Sequence, residues 1–401
     1  MSSLPTLGRI LQRPRRALAA RRAGAPAAAV ATGQPAGQRP LVVPARIVSG
    51  AVDRFEPAIR VVRDAVADGR LPAATVAIRQ GDTEPSIETM ARPGGDRTQR
   101  DSIWFLASIT KPVTATAVML LVEDGAVELD RPLVEDLPEF AGSERAGITP
   151  RHLLSHTAGI DDASTGSLTR ARPTTRQMLE IAYRLPLRFR PGSRFEYSSV
   201  SYFLLGELIA RRSGMRYSSF LRERVLTPAG MRETAFDPRP LGRKRLMPVH
   251  GAALDSWWRR RIALGYLAAL EHPGGGLWGT VDDLLRLGGA FLDSWHGRSG
   301  ALLRPASIRE MTRLQTAEAP AIRDGLERPA NYGLGWWKPG DAREVPASRA
   351  AFEHGGASGT RLFVDPTHDL VAVFLSNQWG QPADIACWPF LRGVYGALEP
   401  T

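Results

Sequence analysis

The sequence is poor in cysteine, in lysine and in long apolar runs. Its one cysteine, Cys387, excludes an intrachain disulfide and a zinc site built from several cysteines. No apolar stretch reaches the roughly 18 residues that a membrane-spanning helix needs, so we predict no stable membrane insertion. A Walker A loop is also missing, and Gly274 to Gly276 follow a proline instead of a strand, which excludes a phosphate cradle there.

The net charge of +11 belongs mainly to the first 47 residues. This segment holds eight arginines and no Asp, Glu or Lys, so +8 of the +11 lies there and +3 remains for the rest. Its Ala, Pro, Gly and Arg content predicts a disordered basic tail over residues 1–48. The charge therefore does not indicate a nucleic-acid partner. We expect a cytoplasmic extension, with an organellar transit peptide or a twin-arginine signal at Arg21-Arg22 as alternatives.

Lysine occurs at positions 111, 244 and 338, and every other basic residue is arginine. Arginine cannot lose its proton in a protein, whereas lysine can. Lys111 stands three residues after Ser108, just before Pro112 and the apolar run Val113 to Val122. Because the first turn of a helix tolerates proline, this pattern predicts a helix with Ser108 at its N-cap or in its first turn.

Ser108 and Lys111 would then share one face of the helix. A serine is a weak nucleophile until a base removes its proton, and both burial and the positive helix end favour the neutral lysine that can do so. The spacing Ser-x-x-Lys therefore predicts a nucleophile–base pair. The alternative is chance, since any lysine has a serine three residues before it with a probability of about 7% from ordinary serine usage.

Strand and helix patterns are segregated along the chain. Strand patterns lie near both ends, and helical patterns fill the middle from Ser108 onward. The predicted strands are 73–79, 87–91, 332–337, 352–354, 359–364 and 370–376, and the predicted closing helix is 383–398. Such segregation is typical of an α+β fold. We divide the chain beyond the tail into a sheet domain, 49–107 with 331–401, and a mainly helical domain, 108–330.

Tyr197, just ahead of an apolar helix pattern, is a candidate for proton transfer. A lysine cation beside a tyrosine can lower the pKa of the phenol. Tyr197 could then relay protons between Ser108, Lys111 and a leaving group. The alternative is a half-buried ring in the core.

His354 ends a predicted strand and is followed by Gly355 and Gly356. A histidine there can orient a substrate or pass a proton, and the glycines would let the backbone approach a ligand. The backbone N–H of Ala357 could pair with that of Ser108 to bind a developing oxyanion. The alternative for His354 is a turn residue.

Two other patterns have structural explanations. His152 and His156 have the spacing of metal ligands on a helix, but no third ligand stands out nearby, so we interpret His156 as a turn residue. The run Trp257 to Arg261 (W-W-R-R-R) could stack nucleic-acid bases or lie on a membrane surface. We favour tryptophans that pack over a cleft, which the loop 161–172 would also line.

Several short motifs follow one another between about Asp53 and Leu398. They are Ser108-Ile109-Thr110-Lys111, Leu153 to Gly159 (L-L-S-H-T-A-G), Tyr197-Ser198-Ser199, Gly274 to Leu284, and His354-Gly355-Gly356. On these motifs the chain resembles the serine β-lactamase and penicillin-binding-protein superfamily, and within it class C β-lactamases and the related esterases and D-amino-acid peptidases. The resemblance implies a helical domain inserted into an α/β domain, whose antiparallel sheet is built from both chain ends.

The resemblance also implies a site and a mechanism. Ser108 would be the nucleophile that forms an acyl-enzyme, with Lys111 and Tyr197 as the general base, no metal and no other cofactor. The amides of Ser108 and Ala357 would bind the oxyanion. Tyr197 or His354 would help to activate the water that releases the acyl group. The residues expected to contact the substrate are Ser199, Gly355 and Gly356.

Two departures from the family pattern favour an ester substrate. The second family motif usually reads Tyr-x-Asn, and that asparagine binds the acyl-side amide of a peptide or β-lactam, but position 199 is Ser. The third motif is Lys-Thr-Gly in β-lactamases and His354-Gly355-Gly356 here. A neutral histidine binds a carboxylate far less well than a lysine. We therefore predict a serine hydrolase that cleaves carboxylic esters of small molecules.

Three alternatives stay open. A β-lactamase or D-amino-acid peptidase, acting on an amide, would need another anion-binding residue, for which Arg361 is the candidate. An acyltransferase would use the same residues with an alcohol in place of water. A catalytically idle binding or scaffold protein is disfavoured by the intact Ser108, Lys111 and Tyr197. The oligomeric state also stays open.

Overall fold

The computed structural model describes residues 54–162, 172–251, 257–339 and 345–398. The predicted basic tail, most of the loop 161–172 and the side chains of Trp257 to Arg261 lie outside the described residues. The helices are α1 Glu56–Ala67, α2 Thr110–Glu123, α3 Pro150–Leu154, α4 Thr175–Ala182, α5 Ser201–Ser213, α6 Tyr217–Leu221, α7 Arg239–Gly242, α8 Trp257–Leu270, α9 Val281–His296, α10 Pro305–Thr312 and α11 Cys387–Gly396. The strands are β1 Ala73–Gln80, β2 Ser86–Ala91, β3 Trp104–Phe105, β4 Trp278–Gly279, β5 Ala321–Arg323, β6 Leu326–Arg328, β7 Phe352–Gly356, β8 Thr360–Asp365 and β9 Leu370–Ser376.

A five-stranded antiparallel sheet joins the two ends of the described chain. Its strand order is β2-β1-β9-β8-β7, so β1 pairs with β9, and Thr75 lies opposite Leu375. The central strands β1 and β9 are almost entirely buried, which explains their near-continuous apolar sequences, whereas the edge strand β2 is mostly half-buried and more polar. The predicted α+β fold, with a sheet built from both chain ends, is confirmed.

Helices cover both faces of the sheet. On one face, Ile59 of α1 and Phe390 of α11 share a core with Val76 of β1. On the other face, α9 approaches β9 so closely that a Cβ on Gly288 would lie 2.4 Å from Val371. The helix α9 falls within the segment 108–330 that we grouped as helical, but it packs on the sheet.

The helix α2 is buried along most of its length. Every residue from Thr110 to Leu121 is buried, which explains why the helix is apolar on all sides. It begins at Thr110, directly after a 3₁₀ turn, Ala107–Ile109, and no side chain caps it. Ser108 lies in the middle of that turn. It therefore lies just ahead of the first turn of α2, whose N-cap is Ile109.

Three segments differ from the sequence-based expectations. Residues 332–337 form a bend and not a strand. Gly335 lies within it with φ +80°, and Tyr332 and Trp337 at its ends make an isolated β-bridge with each other. The sequence of Tyr217 to Leu226 predicts one helix, but the segment is α6 followed by a π-helical turn, Arg222–Leu226. The closing helix begins at Cys387, after a 3₁₀ turn, Ala383–Ile385. Across the described residues, no helix is long and apolar enough to cross a bilayer.

Candidate active site

Ser108 and Lys111 lie together where α2 begins. The Nζ atom of Lys111 is 3.4 Å from the Oγ atom of Ser108. Ala107, directly before Ser108, has φ +46°, a left-handed conformation that is strained for a residue other than glycine. The hydroxyl of Thr110 donates to the carbonyl of Ala107 at 2.7 Å and stabilises this turn. The predicted nucleophile and base are therefore close together. The backbone strain lies at Ala107, directly before Ser108, and the Thr110 hydrogen bond stabilises it.

Lys111 is completely buried, with 0% of its surface exposed. Its amine donates to the carbonyl of Gly274 at 2.7 Å and lies 3.4 Å from the Oγ atom of Ser199. The ring centroids of Tyr197 and Tyr202 are 4.7 Å and 5.1 Å from Nζ. Burial disfavours the charged form and lowers the pKa of Lys111 to about 7. A large fraction of Lys111 is therefore neutral near pH 7 and able to accept a proton.

The segment that follows α8 forms a wall beside Lys111. A Cβ on Gly274 would lie 3.2 Å from the Nζ atom, so glycine leaves room for the amine. The hydroxyl of Thr114 in α2 donates to the carbonyl of Pro273 at 2.6 Å, and the N–H of Gly274 donates to Nδ1 of His272 at 2.9 Å. These contacts explain the Gly-rich motif, which packs against the base instead of binding a phosphate.

Tyr197 lies beside Lys111, but its pKa moves in the direction opposite to our prediction. Burial raises the pKa of Tyr197 well above its ordinary value, and a hydrogen bond with Ser108 offsets this only in part. The expectation of a lowered pKa is wrong because removing water from the phenolate is the dominant effect. Tyr197 therefore stays a neutral phenol that hydrogen-bonds Ser108, and Lys111 is the better base.

Asp162 is a site residue that the sequence analysis missed. Its Oδ2 atom accepts the N–H of Ser199 at 2.5 Å, which positions the segment that follows Tyr197. Its negative charge also raises the pKa of Lys111, against the larger effect of burial. Asp162 lay within the predicted cleft loop, but no local pattern marks it as a neighbour of a lysine so far away in the chain.

The turn between β7 and β8 is tied to the backbone just before the candidate nucleophile. The hydroxyl of Ser358 donates to the carbonyl of Phe105. Gly356 allows a second close approach, since a Cβ there would lie 2.3 Å from the carbonyl oxygen of Leu106. The backbone of Ala357 is thus held beside the turn that carries Ser108, and the oxyanion hole stays a prediction. The close approach that Gly356 permits is to the chain itself and not to a ligand.

His354 is buried in β7 and stays neutral. Its Nδ1 atom is 2.8 Å from the carbonyl oxygen of Gly355, to which it donates, and its Nε2 atom is 3.1 Å from the hydroxyl of Tyr332. Burial and the charge of Lys111 lower the pKa of His354 to about 3. Both ring nitrogens are engaged, so we replace the predicted proton transfer by a positioning role. Its partner Tyr332, which the sequence analysis missed, packs edge-to-face on Tyr197.

His156 anchors the segment of Tyr197. Its Nδ1 atom accepts the N–H of Ser198 at 3.0 Å, and its ring centroid is 4.4 Å from that of Tyr197. Its φ of +59° agrees with its interpretation as a turn residue. His152 is occupied elsewhere, because its Nδ1 atom accepts the N–H of Thr149 in the capping box of α3. The two histidines therefore have separate structural roles, although their spacing suits a metal.

Arg361, the candidate anion-binding residue, lies on the other face of the sheet from the Ser108 turn. The register of β7 and β8 pairs it with Gly355, where a Cβ would lie 2.9 Å from its guanidinium. The guanidinium binds Glu353 at 2.6 Å and lies 4.0 Å from the ring centroid of Trp388 in α11. The expectation for Arg361 is therefore wrong, and the glycine at 355 accommodates an arginine instead of a substrate.

Comparisons with known proteins find relatives that cover most of this chain. The model of the beta-lactamase family matches residues 58–395. Protein Rv1367c of Mycobacterium tuberculosis is 30% identical over 314 residues, which cover 69% of this chain and 78% of that protein. Esterase EstB of Burkholderia gladioli is 28% identical over 325 residues, covering 71% of this chain and 80% of EstB. The structure of EstCE1, described as a hydrolase with promiscuous acyltransferase activity, superposes with a TM-score of 0.70 at 22% identity, over 87% of this chain and all of EstCE1.

Proposed function

Because the chain belongs to the beta-lactamase family and is a serine hydrolase, we propose that it cleaves carboxylic esters of small molecules through an acyl-enzyme on Ser108. The observation that supports an ester substrate is that β7 and β8, whose residues are all described, present no free positive charge to the site. His354 is neutral there, and Arg361 is paired with Glu353 on the other face. These strands therefore offer no cation to the carboxylate of a β-lactam or peptide.

Acylation begins with the neutral amine of Lys111. It accepts the proton of Ser108 as Oγ forms a bond to the ester carbonyl carbon. The carbonyl oxygen becomes an oxyanion, which the N–H groups of Ser108 and Ala357 bind. The bond to the alkoxy oxygen then breaks, and the proton on Lys111 passes through the phenol of Tyr197 to the leaving alkoxide. A neutral phenol suits this relay, because it donates one proton while it accepts another.

Deacylation repeats these steps with water. Lys111, neutral again, takes a proton from the attacking water, with Tyr197 as the hydrogen-bonding partner. The tetrahedral intermediate collapses, the carboxylic acid leaves, and Ser108 regains its proton. His354 supports both steps by holding Tyr332 against the ring of Tyr197.

A substrate panel tests the ester preference. We expect the protein to hydrolyse p-nitrophenyl acetate and p-nitrophenyl butyrate, and mass spectrometry of the quenched reaction to find one acyl group on the peptide that contains Ser108. A chromogenic cephalosporin is expected to give a kcat/KM about 10- to 100-fold lower, because its carboxylate lacks a charge-assisted partner. Equal or faster cephalosporin turnover would replace the esterase by a β-lactamase. Faster capture of the acyl group by an added alcohol than by water would favour the acyltransferase alternative.

Replacing Asp162 by asparagine is expected to move the acidic limb of the pH profile of kcat/KM to lower pH. The substitution removes the charge that raises the pKa of Lys111 but keeps an oxygen that can accept the N–H of Ser199. Lys111 is then neutral at lower pH, so activity appears earlier as the pH rises. The measurement is p-nitrophenyl butyrate hydrolysis between about pH 5 and pH 9, the range that brackets a base with a pKa near 7.

Asp161→Asn provides the matched control for the Asp162 variant. It makes the same change of charge at the neighbouring position, and we expect its acidic limb to stay where the unaltered protein has it. A limb that moves to higher pH in Asp162→Asn, or moves equally in both variants, would contradict the electrostatic role of Asp162.

A further inference from the structure

Three aromatic rings that the proposed chemistry does not use lie together in the fold. The ring of Phe105 is 4.8 Å from that of Trp278, centroid to centroid, and 6.5 Å from that of Trp379, with which it is nearly parallel. Phe105 and Trp278 are buried, whereas 41% of the surface of Trp379 is exposed. We call these three residues the aromatic ledge.

Each residue of the aromatic ledge is tied to a group of the active site. Phe105 is three residues before Ser108, a separation that spans at most roughly 10 Å. Trp278 pairs with Phe105 between β4 and β3, and it ends the segment whose Gly274 holds the amine of Lys111. The N–H of Gly380, the residue after Trp379, donates to the carbonyl of Ala357 at 2.7 Å. The ledge residues therefore belong to the chain segments that carry Ser108, contact the amine of Lys111 and hold the backbone of Ala357.

Trp379 is exposed although its backbone is firmly held. Its N–H donates to the carbonyl of His250 at 2.9 Å, and the N–H of His250 donates to the carbonyl of Asn377 at 2.8 Å. The Nε2 atom of His250 is 2.6 Å from a carboxylate oxygen of Asp96, which also accepts from the Asn377 amide at 2.8 Å. These hydrogen bonds fix the backbone that carries the exposed ring, next to a turn that is bonded to Ala357, so the ring offers a positioned apolar surface to a ligand.

The surroundings of Phe105 and Trp278 are apolar. A small cavity behind Phe105 and Trp278 is lined by uncharged side chains, Leu246, Met247, Val249, Ala263, Leu264 and Leu267. Leu264 and Leu267 belong to α8, which packs over this part of the ledge. A charged substrate group would lose water here without gaining a partner, whereas an alkyl or aryl group would gain contact.

From these contacts, we propose that the aromatic ledge binds an apolar chain of the substrate, so that the protein prefers esters carrying a medium-length alkyl group over acetate-sized ones. This inference rests on the proposed ester hydrolysis at Ser108. The chain belongs to the acyl or to the alcohol part of the ester, and the two long-chain esters in the test distinguish these positions. Stacking and desolvation on Trp379 would supply the preference, because its ring offers the exposed apolar area.

The test compares Trp379→Ala with the unaltered protein on three esters. The esters are p-nitrophenyl acetate, p-nitrophenyl octanoate with the chain on the acyl side, and octyl acetate with the chain on the alcohol side. We expect the ratio of kcat/KM for one long-chain ester to that for p-nitrophenyl acetate to fall about tenfold in Trp379→Ala, mainly through KM. This is the effect expected when about two methylene groups lose an apolar contact. Trp379→Phe should restore most of the ratio.

Leu314→Ala provides the matched control, because Leu314 is 40% exposed and is likewise an apolar side chain on the surface. It should leave the ratio unchanged. An unchanged ratio in Trp379→Ala, or Trp379→Phe no better than Trp379→Ala, would overturn the role of the ledge while ester hydrolysis by the unaltered protein stands. If the unaltered protein hydrolyses none of the three esters, the proposed function and the ledge inference both fail.

Discussion

Replacing Ser108 by alanine is expected to lower kcat for p-nitrophenyl butyrate by a factor on the order of 10⁴ to 10⁶, the range seen when a hydrolase loses its nucleophile. The Oγ atom of Ser108 lies 3.4 Å from the Nζ atom of Lys111, which can take its proton, and it also hydrogen-bonds Tyr197. Without it, water must attack the ester directly, with help only from Lys111 and the oxyanion donors. The acyl group found on the Ser108 peptide should disappear from the mass spectrum at the same time.

The fold should not change in the Ser108 variant. Alanine fits a helical turn as well as serine does, and its left-handed neighbour Ala107 is untouched. The thermal unfolding midpoint therefore checks that the loss of activity is chemical. Ser219→Ala, which makes the same change in α6, is the matched control and should keep full activity. A Ser108→Ala enzyme with a tenth or more of the original kcat would place the nucleophile elsewhere.

Replacing Lys111 by methionine is expected to have the second largest effect on activity. We expect kcat to fall about 10²- to 10⁴-fold, because this is the usual contribution of a general base. In the unaltered protein, kcat/KM should rise with pH through about 7 and then level off, because the pKa of Lys111 is lowered to about 7 and the neutral amine is the active form. The residual activity of Lys111→Met should lack this limb.

The thermal stability of Lys111→Met shows whether its activity is lost because the base is gone or because the core is damaged. An unfolded lysine keeps its proton up to its ordinary pKa of 10.5, whereas the folded one releases it at about 7. Burial of Lys111 therefore destabilises the fold below pH 10.5, and the full destabilisation is present below about pH 7. Lys111→Met removes this penalty, so its unfolding midpoint should equal or exceed that of the unaltered protein, with the larger difference at acidic pH.

Lys338 provides a matched control for the Lys111 variant. Burial lowers its pKa to about 8, and its amine donates to the carbonyl of Ala350 at 3.3 Å, a contact that involves none of the proposed catalytic groups. Lys338→Met should therefore keep its activity and the acidic limb near pH 7. An equal loss of kcat in both methionine variants would indicate a general effect of removing a lysine from the protein interior or its margin, and Lys111 could not be assigned as the base.

The sequence by itself determined the features that local patterns encode. Ser108 and Lys111 fall within one helical turn because three-residue spacing alone brings their side chains together. The apolar runs of β1 and β9 indicate buried central strands, and their positions near the two ends predict the α+β fold that the structure confirms. The scarcity of lysine pointed to Lys111 without any knowledge of its surroundings.

Only the tertiary structure decided the charges and the neighbours of these groups. The pKa of Tyr197 is raised and not lowered because segments distant in the chain exclude water from its phenol. Asp162 acts on Lys111 across the fold, and Arg361 faces α11 because the register of β7 and β8 places it opposite Gly355. Burial and register are produced by contacts between distant residues. Local sequence patterns do not encode those contacts, so they predicted that Ser108 and Lys111 lie together but not the electrostatics of this pair.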